Sequence, residues 1–103
     1  MFKRQGDILL EKIDAIPDRA TDRMRRDVVE TGIIAEGEVT GHAHVLKGGT
    51  LYSQAGKLYA VAEASGGTVV HDEHDTLVLE EGVWLVHNQT EYVSETERAA
   101  VYD

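Results

Sequence analysis

Apolar residues in this chain nowhere keep step with a helix. No stretch sustains a 3.6-residue period long enough to bury one helical face. They come instead in short runs, such as Ile8–Ile13, Val28–Ala35, Leu58–Glu63 and Val83–Asn88, cut by glycines and turn residues. Twelve Val, five Ile and eight Thr favour extended backbone, and only one proline, Pro17, interrupts it. With 103 residues there is room for one core, so residues 1–103 are expected to form a single all-β domain. About seven to nine short strands would close it as a small barrel or sandwich.

Two hairpins are expected from the punctuation. Gln54-Ala55-Gly56-Lys57 would join Leu51–Tyr52 to Leu58–Glu63, and Glu81-Gly82 would join Thr76–Glu80 to Val83–Asn88. In the second, alternation puts Leu77, Leu79, Trp84 and Val86 on one face. His74, Thr76, Val78, Val83, Leu85 and His87 fall on the other. A two-residue loop would set Thr76 opposite His87 and His74 opposite Gln89, making His74 and His87 diagonal neighbours. Both faces carry large apolar groups, which predicts a homo-oligomer, most simply a symmetric dimer. Tyr92–Glu95 and Ala99–Tyr102 would add a last strand or edge segment.

Charge is unevenly spread. The net charge is −9, yet residues 1–27 hold seven basic and six acidic side chains. Arg19, Arg23, Arg25 and Arg26 gather near Asp18, Asp22 and Asp27, so residues 17–27 read as a charged loop or a short helix. Such a loop is either a solvated surface or a contact for an acidic neighbour. The overall acidity argues against a duplex-binding protein, whose affinity comes largely from neutralising phosphates. Zero cysteines excludes disulfides, thiolate metal sites and a cysteine nucleophile. No apolar run approaches the roughly 18 residues of a membrane span, and the first residues lack a signal-peptide pattern. A cytoplasmic protein is the expectation.

The five histidines are His42, His44, His71, His74 and His87. On a strand, the H-x-H pair of His42 and His44 would project from one face with Cα atoms roughly 6.6 Å apart. Two imidazoles so placed can converge on an ion about 2.0–2.1 Å from each nitrogen. His71-Asp72-Glu73-His74 lies between strand-like runs, so a tight turn would bring its two histidines together. The expected metal ligands are His42, His44 and His74, with His71 or His87 completing the set. Imidazole ligation suits zinc, iron, nickel or copper; zinc is the default because it accepts three imidazoles plus water, as hydrolytic sites do. Glu73 would then be the first candidate for a general base, with Asp72, Glu36 and Glu38 nearby in sequence. Against this stands a bland reading, in which Glu73 is a solvent-facing turn residue. Ser53, Ser65 and Ser94 sit in no nucleophile elbow, and Gly48-Gly49 and Gly66-Gly67 lack the lysine of a phosphate loop.

Gln5-Gly6-Asp7, Ala35–His44, His71–His74, Leu79–Val86 and Gln89–Tyr92 together resemble a family of short uncharacterised bacterial and bacteriophage proteins. That resemblance implies a small β-domain in a bacterial or viral setting and brings no activity with it. His42-x-His44, and Gly82 followed by His87, are also similar to cupin motifs. The glutamate a few residues after His44 and the proline before Gly82 are missing, so the cupin likeness is architectural only. Two functional readings follow. One is a metal-binding β-domain that could support hydrolysis. The other is a non-catalytic structural or assembly protein, phage-associated or not, with histidines at a subunit interface.

Overall fold

The computed structural model describes residues 1–19, 21, 24–36 and 43–88. Ten strands lie among them: β1 (Phe2–Gln5), β2 (Ile8–Ile13), β3 (Arg26–Val28), β4 (Ile33–Glu36), β5 (Ala43–Lys47), β6 (Gly49–Gln54), β7 (Lys57–Ala62), β8 (Gly67–His71), β9 (His74–Leu79) and β10 (Gly82–Asn88). No helix occurs among the described residues, in agreement with the missing helical period. The strands form two antiparallel sheets, ordered β1-β2-β10-β7-β6-β3 and β4-β5-β8-β9. The architecture is sandwich-like rather than a closed barrel.

The inner faces follow the two-residue alternation of each strand. Ile8 and Leu10 from β2, Leu51 from β6, Ala60 and Ala62 from β7 and Trp84 from β10 meet Ile34, Leu46, Val69 and Leu79 of the second sheet. Leu77 and Val86 pack against this cluster. The Trp84 indole is fully buried, and its N–H donates to the Glu80 carbonyl at 3.0 Å.

Two of the sequence expectations fail on strand pairing. The Glu81-Gly82 hairpin does not exist. β9 pairs with β8, whereas β10 pairs with β2 and β7, so the chain crosses between sheets after Leu79. Thr76 therefore does not oppose His87. The expected Val28–Ala35 strand is divided into β3 and β4 around Gly32, whose φ is +70°. Residues 17–19, 21, 24 and 25 form an irregular loop, and β3 starts at Arg26. The Gln54–Lys57 hairpin is present, turning at Ala55 and Gly56 with φ of +52° and +75°. The segments Tyr92–Glu95 and Ala99–Tyr102 lie outside the described residues.

At one side of the sandwich, edge strand β1 of the first sheet faces edge strand β9 of the second. No ladder joins them among the described residues; side chains do. Lys3 Nζ donates to the Val78 carbonyl at 2.7 Å and pairs with Glu80 at 2.8 Å. This hydrogen bond from Lys3 holds the Glu80 carboxyl below its usual pKa. The Gln5 amide donates to the carbonyls of Val69 at 2.9 Å and Asp75 at 2.8 Å.

Candidate functional site

That seam carries the histidine cluster. β1 and β2 are joined by the two residues Gly6 and Asp7, with Gln5 opposite Ile8. Gly6 has φ +58°, so the turn is of the kind that takes glycine at its first central position. This turn presents Asp7 above the end of β5. His44 sits on the inward face of β5 with Leu46 and is 1% exposed. The chain reverses between β8 and β9 through Asp72 and Glu73, leaving His71 opposite His74. One extra residue on β9 separates that pair from the Val69–Leu77 pair. The Val69 and Asp75 carbonyls that receive the Gln5 amide flank this irregularity.

Three imidazoles meet as a result. Ring centroids lie 4.4 Å apart for His44 and His71, 4.6 Å for His71 and His74, and 6.0 Å for His44 and His74. His44 and His71 are buried, whereas His74 is exposed. The H-x-x-H turn thus brings its pair together as expected. His87 is separate: it lies on the outer face of the first sheet, with its Nε2 3.0 Å from Glu11 Oε1. The hairpin arithmetic that placed it beside His74 fails with the pairing on which it rests. His42 and Glu38 lie outside the described residues.

Hydrogen bonds determine which nitrogens carry protons. Both Gln5 amide hydrogens go to carbonyls, so its Oε1 must be the atom facing His44 Nδ1 at 2.8 Å. Flipping the amide would set its oxygen against two carbonyl oxygens. His44 Nδ1 is therefore the protonated nitrogen, donating to Gln5. The other nitrogen, Nε2, lies 2.9 Å from Asp7 Oδ1. Burial pushes the His44 pKa below the ordinary histidine value; Asp7 pulls it upward without cancelling the effect, and His71 and His74 depress it further. In the neutral ring the Nε2 lone pair then faces a carboxylate. Two electron-pair donors at that distance need a cation between them, either a proton or a metal ion. Ligands on one ion with bonds of about 2.0–2.1 Å are themselves roughly 2.9–3.4 Å apart, so the separation fits both.

His71 is held differently. Its Nδ1 accepts from the Glu73 backbone N–H at 3.0 Å, which puts the proton of the neutral ring on Nε2. Ligation by His71 would require giving up that bond. The Glu73 side chain is exposed in the turn. Among the described residues, no three His, Asp or Glu side chains are already arranged around one ion. The preset pair is His44 Nε2 and Asp7. Sequence reasoning found His44 but missed Gln5 and Asp7; Gly6-Asp7 between extended runs was the available signal, being a favoured two-residue hairpin loop.

Gly6 is also where the His74 ring rests. A Cβ built on Gly6 would lie 2.6 Å from His74 Nε2. Gly6→Ala is expected to cost about 1 kcal/mol through its left-handed backbone. It should also push His74 away from His44. Chemical denaturation and the histidine ring resonances check this; unchanged His74 resonances would contradict the contact.

Fold and cluster together define an antiparallel β-sandwich domain with a buried polar site at the seam of its sheets. A family described as Domain of unknown function (DUF8820) matches residues 4–89, and the chain belongs to it. The matched span contains Gln5, Asp7, His44, His71, His74 and His87. No curated protein matches the chain, and no solved structure matches it. No helix among the described residues is long and apolar enough to cross a membrane.

Proposed function

We propose that the domain binds a divalent transition metal, zinc by default, at the seam between its sheets. The observation that carries this is the contact of His44 Nε2 with Asp7, two electron-pair donors held face to face by a ring whose Nδ1 is already committed to Gln5. A ligating histidine typically donates its other nitrogen to an oxygen acceptor in this way. His74, at the exposed rim of the cluster and 6.0 Å from His44 between ring centroids, is a further imidazole whose nitrogen could turn toward the same ion. His71 would join after releasing the Glu73 N–H, and His42 remains a ligand proposed from its spacing alone. With water in an open position such a site supports hydrolysis, and Glu73 is the proposed base.

Titration calorimetry with zinc on untagged protein tests this, alongside Asp7→Asn. Asparagine keeps the shape and offers Nε2 an N–H, so the metal-free fold should persist while affinity falls at least roughly tenfold. Wild-type protein that takes up no zinc would sink the proposal. The interface reading would then take its place, supported by the outer sheet face. There His87 and Glu11 sit among the half-buried Ile13, Val61, Val83 and Leu85. A dimer by light scattering, without bound metal, is the result that reading requires.

A further inference from the structure

The arginine-rich loop takes no part in the proposed metal site. Gln54, the last residue of β6, is only 3% exposed although wholly polar. Its Nε2 donates to the Pro17 carbonyl at 2.8 Å, and its Oε1 accepts from Arg26 Nε at 2.7 Å. Arg26 Nη2 donates to the same Pro17 carbonyl at 3.2 Å. The three groups close a triangle that fixes the guanidinium plane through one edge. No described residue takes Nη1 or the second Nη2 hydrogen, which can serve a ligand.

Arg26 also lines a cleft of about 550 Å³, with Asp18, Arg19 and Thr21 beside it among the described residues. Among the described residues, Arg19 makes one hydrogen bond, from Nη1 to the Met24 carbonyl at 3.4 Å. Two arginines therefore line one cleft in a chain whose net charge is −9. A surface arginine normally pays rotamer entropy when it grips a ligand; the buried Gln54 removes much of that cost for Arg26 in advance.

We infer that this cleft binds the phosphate group of a small polar ligand, a sugar phosphate in chemical class. Planar guanidinium donors match phosphate oxygens in pairs, and Arg26 is presented in a fixed orientation for it. The cleft volume falls in the range of organic ligands rather than a bare ion. The described lining residues are polar, which suits a hydroxylated body rather than an aromatic one. The Asp18 carboxylate would repel a second anionic group and accept from a hydroxyl.

The test is calorimetric titration of the full chain at low ionic strength with ribose 5-phosphate, inorganic phosphate and ribose. Ribose 5-phosphate should bind most tightly and ribose not measurably. Arg26→Gln should weaken ribose 5-phosphate roughly tenfold or more, and Arg26→Lys should weaken it too, because the charge survives but the fork does not. Arg26 is exposed, so these variants should fold, with Arg26→Gln losing about 1 kcal/mol through the hydrogen bond to Gln54. Arg25→Gln, which removes an arginine paired with Asp27 outside the cleft lining, should change nothing. Equal binding by wild type and Arg26→Gln, or no binding of either phosphate compound, would overturn the site. Inorganic phosphate binding as tightly as the sugar phosphate would overturn the organic ligand.

Discussion

Gln5→Leu is expected to lower stability by about 3 kcal/mol, since each buried polar group left without its partner costs roughly 1–3 kcal/mol. Leucine has nearly the volume of glutamine but returns none of its three hydrogen bonds. It strands the Val69 and Asp75 carbonyls and the His44 Nδ1–H together. For a domain of this size the midpoint of melting should fall by roughly 12–24 °C. Gln5→Glu should be comparably damaging, because a carboxylate would face the same two carbonyls with nothing to donate. A loss below about 1 kcal/mol in Gln5→Leu would mean that water replaces the amide, and that Gln5 does not set the His44 ring.

Zinc should raise the melting midpoint by roughly 10–20 °C when present at about a hundred times its dissociation constant. That ligand excess contributes about 2.7 kcal/mol by mass action, and a small domain shifts by roughly 4–8 °C per kcal/mol. The effect should shrink with acid, because only neutral imidazole binds metal. Metal-free stability should fall in the same direction. The folded His44 pKa is depressed, so below the unfolded value of about 6.5 the unfolded chain takes up the proton more readily. The stability that neutral His44 contributes is thus complete above about pH 6.5 and is lost as pH falls below it. In Asp7→Asn the zinc increment at the same concentration should fall to about half or less, since a tenfold weaker site contributes about 1.4 kcal/mol, while the acid sensitivity of burial persists. Equal zinc shifts in wild type and Asp7→Asn would remove Asp7 from the site.

Alternation along single strands was legible in the sequence, and pairing between strands was not. Alternation puts Leu77, Leu79, Trp84 and Val86 on one face, and all four pack in or against the core. That assignment needs only the two-residue period. The partner of β10 depended on reading Glu81-Gly82 as a hairpin, although the same residues serve equally as a crossover between sheets. His87 was misplaced for this reason alone. His71 and His74 came together because a two-residue turn is a local matter. The tether of His44 to Gln5 spans 39 residues, and no local pattern announces a contact at that separation. β1 went unread because Phe2–Gln5 holds one apolar residue and two cations, a strand whose inward side chains are Lys3 and Gln5 rather than hydrocarbon.

The side-chain seam gives this sandwich a preferred line of opening. Parting β6 from β7 would break a full ladder, whereas parting β1 from β9 disturbs a lysine and a single amide. Local unfolding should start where the fewest backbone bonds are at stake. Here that line runs through Gln5, so the first excursion from the native state also releases the His44 ring. Occupancy of the site and closure of the sandwich are then one equilibrium: any cation held between His44 and Asp7 acts as a clasp on the whole domain.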